Sequence, residues 1–206
     1  MSNLQARIYL ASRSPRRREL LRQIGVHFDL LVFRGTERGA DADVDETPQA
    51  DENVEHYVER VALTKAQAGC RRLQWRTLPQ HPVLSADTTL ELDGDIIGKP
   101  ADAVDAAAIL RRLSGRTHRV LTAVAISDGA RTRSCINASE VRFRDLTDNE
   151  IRHYIATGEP MDKAGAYGIQ GRAAVFIEEI RGSYTGIMGL PLFETAQLLD
   201  AFGYPL

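Results

Sequence analysis

Residues 7–25 read RIYLASRSPRRRELLRQIG, and the fold class turns on them. Arg7–Ala11 is a short apolar run that reads as a strand. Ser12–Ser14 is a turn. Ser14 is a good N-cap residue, and Pro15 falls at the first helical position, where its missing N–H costs nothing. Glu19, Leu20, Leu21 and Ile24 carry a helix that Gly25 stops. A strand that passes through a tight turn into a helix is the opening unit of a layered α/β chain.

The same alternation continues outward. Phe28–Phe33 reads as a second strand, and the polar, acidic stretch 34–52 as a loop. From Asn53 to about Gln74 the apolar residues fall mostly on helical spacing. Val83–Ala86 reads as a buried strand that ends at Asp87. Thr88–Leu92 and Asp95–Ile97 flank Asp93-Gly94, a two-residue hairpin signal. Asp102–Leu113 is an Ala-rich helix, and Arg119–Ser127 and Arg131–Phe143 are two longer strands. Thr147-Asp148-Asn149-Glu150 is a capping box that opens a further helix. Gly158–Gly171 is glycine-rich without a period. Ala173–Ile180 reads as a strand and Leu190–Phe202 as a last helix. No internal repeat is present. The expected class is α/β, or α+β, with a mixed twisted sheet flanked by helices.

At 206 residues the chain has the length of one domain, or of two small lobes that share a core. Apolar residues make up 43% and charged residues 26%, an ordinary globular balance. The net charge of −2 argues against stable nucleic-acid binding, which favours a basic excess. No apolar run is long enough to cross a membrane, and the N-terminal stretch turns charged before a signal-peptide core can form. Cys70 and Cys135 form neither a disulfide framework nor a zinc knuckle. These features point to a cytoplasmic protein. The charge is uneven along the chain: residues 7–22 hold six arginines against Glu19 alone, and residues 37–59 hold nine acids against Arg38 alone. Such patches suit a polyanion and its metal, or are simply solvated faces.

Five places carry candidate chemistry. Ser12 to Arg17 joins free backbone N–H groups at a helix start to two hydroxyls and two guanidinium forks, a set suited to phosphate. The bland reading is a solvated helix start with Ser14 as its cap. Asp87, at a strand end, is placed to bind a divalent cation or accept a proton from water, and a turn or cap is its ordinary role. Lys65 and Lys99 are surface charges unless an anion sits near them. Gln170 lies in the glycine-rich segment, where backbone can approach a ligand and its amide offers donor and acceptor together. Its alternative is a bond within its own loop. The five histidines share no metal-ligand spacing.

In order along the chain, LASRSPRRRELL at 10–21, DET at 45–47, RVALTKA at 60–66, SADTTLELDGDIIGKP at 85–100, LRRLSGRTHRVLTAV at 110–124 and GEPMDKAGAYGIQG through GLPLFETAQLL at 158–199 resemble the Maf family, the septum-formation-inhibitor type of nucleoside triphosphate pyrophosphatase. The resemblance covers nearly the whole chain. It implies a single domain over 1–206, two lobes about one central cleft, with a fold like that of the inosine triphosphate pyrophosphatases. It implies a homodimer, and a hydrolase that needs Mg²⁺ or Mn²⁺ and cuts a nucleoside triphosphate between the α and β phosphates. By position, Asp87 matches the proton acceptor. Arg16, Thr88 and Gln170 match positions tied to substrate choice, and Ser12, Arg17, Lys65 and Lys99 match triphosphate-binding positions. Glu46 matches an acid near the metal, with Asp45 as its rival because residues 34–44 look longer than usual. The GIQG wording, preceded by Lys163 and Tyr167, resembles the branch that prefers dTTP and UTP. The alternatives are a pyrophosphatase for modified nucleotides such as 7-methyl-GTP, and a non-catalytic nucleotide-binding regulator of cell division.

Overall fold

The computed structural model describes residues 7–32, 44–204 and 206. Its frame is a seven-stranded mixed sheet of β1 (Ile8–Leu10), β2 (Phe28–Leu30), β3 (Val83–Leu92), β4 (Asp95–Ile97), β5 (Thr117–Ser127), β6 (Thr132–Phe143) and β7 (Ile177–Arg181). The strand order is β2-β1-β3-β5-β6-β7, with β4 also paired to β3. β1 pairs in parallel with β2 and β3, while every other pairing is antiparallel. The helices are α1 (Pro15–Gln23), α2 (Val54–Trp75), α3 (Ala103–Leu113), α4 (Asp148–Ile155), α5 (Tyr184–Ile187) and α6 (Leu192–Ala201). The mixed α/β class expected from the sequence is the class observed.

Strand alternation decides which helix covers which face. Leu84, Ala86, Val124 and Ile126 pack against Leu20 and Leu21 of α1 and Leu198 and Leu199 of α6. Leu121, Ala123 and Ala125 point the other way, onto Val58, Val61 and Ala62 of α2. At the far end of the sheet, Leu90, Leu92, Val120, Val141 and Phe143 pack under α3 and α4 with Tyr154 and Tyr167.

Four local expectations change. β3 runs unbroken through Asp87, because β5 pairs with it from Val83 to Glu91 without a register shift. Ser14 sits at the N-cap of α1 but makes no side-chain cap bond; its own N–H donates to Ser12 Oγ. The stretch from Ala173 starts as a 3₁₀ turn, Arg172–Phe176, and only Ile177–Arg181 is strand. Ala173 and Phe176, both buried, are three residues apart, the spacing that shares one face of a 3₁₀ turn. The final helix starts at Leu192 rather than Leu190. Gly189 at φ +111° breaks the chain path, and the short α5, whose N-cap Ser183 accepts from Gly186 N, precedes it. Phe33 and most of the proposed loop, residues 34–43, lie outside the described residues.

Candidate active site

The site begins with a gap in the sheet. On the edge of β3 opposite β5, β1 pairs with Val83 and Leu84, and β4 pairs with Leu90 to Leu92. Among the described residues, no strand lies beside 85–89 on that edge. A cleft of about 680 Å³ opens there, lined by residues of β3, the 11–17 turn, α2, the 98–99 turn, the 162–170 segment and the turn after α5. Ser12, Arg16, Arg17, Glu46, Lys65, Asp87, Thr88, Lys99 and Gln170 all line it, so the geometry brings together every site residue expected from the sequence.

Asp87 faces α2. Lys65 Nζ, on that helix, lies 2.8 Å from Asp87 Oδ1 and 2.7 Å from Glu46 Oε1, so one ammonium ties two carboxylates. Asp87 is 8% exposed. Burial works to raise the Glu46 carboxyl, but the charge and hydrogen bond of Lys65, with Lys99 and Arg17 further off, outweigh it and hold the group below the usual range. Tyr57 Oη donates to the Glu46 carbonyl at 3.0 Å, and burial with the two nearby acids pushes its hydroxyl up to about 12. Asp45 turns elsewhere: its Oδ1 accepts from Thr47 N, an Asx turn. The geometry therefore brings Glu46, not Asp45, into the cleft. Among the described residues no three of His, Cys, Asp and Glu gather as a metal set.

Thr88 points to the opposite face, where Arg17 meets it. The Arg17 guanidinium donates to Gly189 O at 2.7 Å, to Ala86 O at 2.7 Å, to Ser12 Oγ at 3.3 Å and to Thr88 Oγ1 at 3.1 Å. Of its five N–H groups, one is left over. Arg17, expected at a phosphate, is thus committed largely to protein acceptors. Burial lowers its pKa, with Asp87 working against that, Arg16 adding to it and Glu46 opposing it. Gly189 has φ +111°, a conformation that side-chain-bearing residues rarely adopt, so glycine is what lets this turn take its path past the guanidinium.

Arg16 and Lys99 make no hydrogen bond or ion pair among the described residues, although the Arg16 charge reaches Asp162 and that of Lys99 reaches Glu46. Gln170 is exposed, and its side chain makes no hydrogen bond among those residues, so it does not bond its own loop. Lys163 Nζ pairs with Asp162 at 2.6 Å, and its stem lies where a Cβ on Gly168 would be, which seats the glycine segment. Below it the buried His118 Nε2 meets Tyr167 Oη at 2.8 Å. Sequence reading missed Tyr57, Thr122 and the Gly186–Gly189 turn. Only the pair of glycines in that turn hinted at close packing, and nothing local announced Thr122.

An α/β sheet with a cation-lined cleft and two carboxylates at an uncovered strand edge defines a protein that handles a polyanion. The chain belongs to the Maf family: the family model described as Maf-like protein matches residues 7–202. It is 82% identical over 206 residues to a protein of Aromatoleum aromaticum named dTTP/UTP pyrophosphatase, covering all of both chains. It is 61% identical to one of Dechloromonas aromatica with the same name, covering 96% of this chain and 98% of that one. Among solved structures it is similar to the Staphylococcus aureus Ham1 protein, at a TM-score of 0.50 and 16% identity over 95% of this chain and 97% of the other. That likeness concerns the fold.

Proposed function

We propose that this protein hydrolyses dTTP and UTP to the nucleoside monophosphate and pyrophosphate, cutting the α–β phosphoanhydride with Mg²⁺ or Mn²⁺ as cofactor. The observation that carries the reading is Lys65 Nζ held between Asp87 and Glu46 in a cleft where Arg16 and Lys99 make no ion pair among the described residues. The names of the 82% and 61% identical relatives supply the substrates. Two carboxylates that share one ammonium put hard oxygen atoms in one place, and Mg²⁺ is usually held by one or two carboxylates with substrate phosphates completing the set. Glu46 and Asp87 fit that demand. When bound, the ion offsets charge on the triphosphate and on the leaving pyrophosphate.

The side chains divide the remaining work. An Asp87 carboxylate oxygen takes a proton from the attacking water as the new P–O bond forms. The electron pair of the broken anhydride leaves with pyrophosphate, and Lys65, Lys99 and Arg16 stabilise the charge that builds there. Ser12 Oγ accepts from Ser14 N and Arg17 Nη1, which uses both its lone pairs, so its O–H is left to donate to a phosphate oxygen. Gln170 reads the base edge, its amide matching a carbonyl oxygen and N3–H together. Arg17 holds Ser12, Thr88 and the turn after α5 in place.

A single domain over 1–206, folded as two lobes about this cleft, belongs to the same reading; one sheet running through the molecule supports it. So does a cytoplasmic homodimer, which the family resemblance suggests, and the net charge of −2 argues against stable nucleic-acid binding. No helix among the described residues is long and apolar enough to cross a membrane. The test is a nucleotide panel with Mn²⁺ or Mg²⁺, scored for pyrophosphate against orthophosphate. UTP and dTTP should yield monophosphate and pyrophosphate. Orthophosphate with a diphosphate product overturns the cleavage position, and no turnover of any nucleotide leaves the non-catalytic regulator.

A further inference from the structure

Three oxygen atoms stand in series behind the cleft. Thr88 Oγ1 lies 2.9 Å from Thr122 Oγ1, and Thr122 Oγ1 lies 2.8 Å from Gly186 O. Thr88 and Thr122 are register partners on β3 and β5, and Thr122 is fully buried. Each short contact needs one proton between its oxygens. A backbone carbonyl has none to give, and each hydroxyl has one. Only one arrangement fills both gaps: Thr122 donates to Gly186 O, and Thr88 donates to Thr122. The other end of the chain agrees, since Arg17 Nη2 only donates, and Thr88 Oγ1 accepts from it at 3.1 Å. Turning either proton away would leave two buried lone pairs facing each other.

We propose that Thr122 is a positioning residue that takes the Thr88 proton and so makes Thr88 an acceptor for a hydrogen-bond donor of the nucleotide. Thr88 lines the cleft with one lone pair unspent. Ser12, hung on the same guanidinium, is its opposite: both lone pairs are used and the proton is free. The cleft therefore offers a donor at Ser12 and an acceptor at Thr88. The inference rests on the proposed dTTP/UTP activity for its substrate, whereas the polarity follows from the proton count alone. An ionised triphosphate has no donor. Away from it, dTTP and UTP share two, the N3–H of the base and the 3′-hydroxyl of the sugar. Thr88 accepts from the 3′-hydroxyl where Gln170 takes the N3–H, and from the N3–H where Gln170 meets only a carbonyl oxygen.

The experiment measures kcat/KM for UTP, 3-methyluridine triphosphate and 3′-deoxyuridine triphosphate. The proteins are the wild type, Thr88→Val, Thr122→Val and Thr122→Ser. The wild type should lose about 10–100-fold on the analogue that lacks the recognised donor, the loss expected of an unpaired polar group, and much less on the other. That analogue identifies base or sugar. The UTP-to-analogue ratio should fall toward one in Thr88→Val, narrow several-fold in Thr122→Val, and return in Thr122→Ser. A structural role alone would lower all three substrates by one factor. Ratios that stay the same in all four proteins, or near one for both analogues in the wild type, overturn the proposal. A neutron structure of the free wild type decides the polarity without turnover or variants. A Thr88 deuteron aimed at Thr122 supports it, and one aimed into the cleft refutes it. If no nucleotide is hydrolysed, the activity reading fails and the neutron map still settles Thr88.

Discussion

Asp87 and Thr88 are neighbours in the chain but belong to different chemistries. Asp87 looks toward α2 and meets Lys65, with Glu46 on the same ammonium. Thr88 looks the other way and meets Arg17 and Thr122 through neutral oxygen acceptors. Strand alternation alone would send the two into separate cores. They reach one cleft because, among the described residues, β3 has no strand beside it at 85–89 on the edge away from β5. One face supplies charge that a proton or a cation can rearrange. The other supplies fixed directions, where every short oxygen contact has one way to be filled.

The sharpest way to break this comparison is Asp87→Asn, which keeps size and removes basicity. Turnover should fall by roughly 10²–10⁴, the usual worth of a general base, while nucleotide binding by equilibrium titration survives. Turnover near wild type would move the base to Glu46.

A part of β5 that serves neither face provides the next largest effect. Burial pushes His118 down to about 4 from an ordinary 6.5, so the fold holds it neutral. The unfolded chain binds the extra proton below 6.5. Stability is therefore full above pH 6.5 and falls as pH drops toward 4, by about 3 kcal/mol. Urea unfolding at pH 7.5 and 4.5 should show that loss, and His118→Asn should remove most of it. An equal pH slope in the variant would discard the assignment.

Arg17→Ala tests the Thr88 face. It strips donors from the carbonyls of Ala86 and Gly189, and the fold should lose about 1–3 kcal/mol in a denaturant midpoint. A protein whose Arg17 served only phosphate would unfold unchanged without nucleotide.

The smallest contrast is between Lys99→Ala and Gln170→Ala. The first should lower kcat/KM about tenfold for every triphosphate, since all share the group it meets. The second should lower uracil and thymine nucleotides most and flatten the panel. A UTP-to-GTP ratio that stays fixed in Gln170→Ala would make Gln170 a loop residue.

What could be read from the sequence was what neighbours along the chain decide. The strand–turn–helix at 7–25 and the Thr147 capping box are local and are found as expected. The Asp93-Gly94 hairpin is local too: both residues have positive φ, as a type I′ turn requires. The candidate residues were legible because each stood in a recognisable segment. Their division of labour was not. Arg17 meets Ala86 and Gly189 from 69 and 172 residues away, and no local pattern shows that its donors are taken. β3 looked like two pieces because Asp87 and Thr88 are polar; Lys65, Arg17 and Thr122 satisfy them, and the strand runs through. That Glu46 rather than Asp45 lines the cleft follows from its pairing with Lys65, which no local pattern announces.

The break in pairing along β3 has one more consequence. An unpartnered length of central strand is where a stray extended chain adds itself, and proteins guard such edges against aggregation. Here β1 and β4 close in from either end, and the Arg17 guanidinium occupies the Ala86 carbonyl that an intruding N–H would seek. An invader would also have to bury the Lys65 cluster. The Arg17 guanidinium and the Lys65 cluster, which frame the proposed nucleotide cleft, thus double as gatekeepers of the sheet, and loosening them should favour strand addition as well as weaken the chemistry.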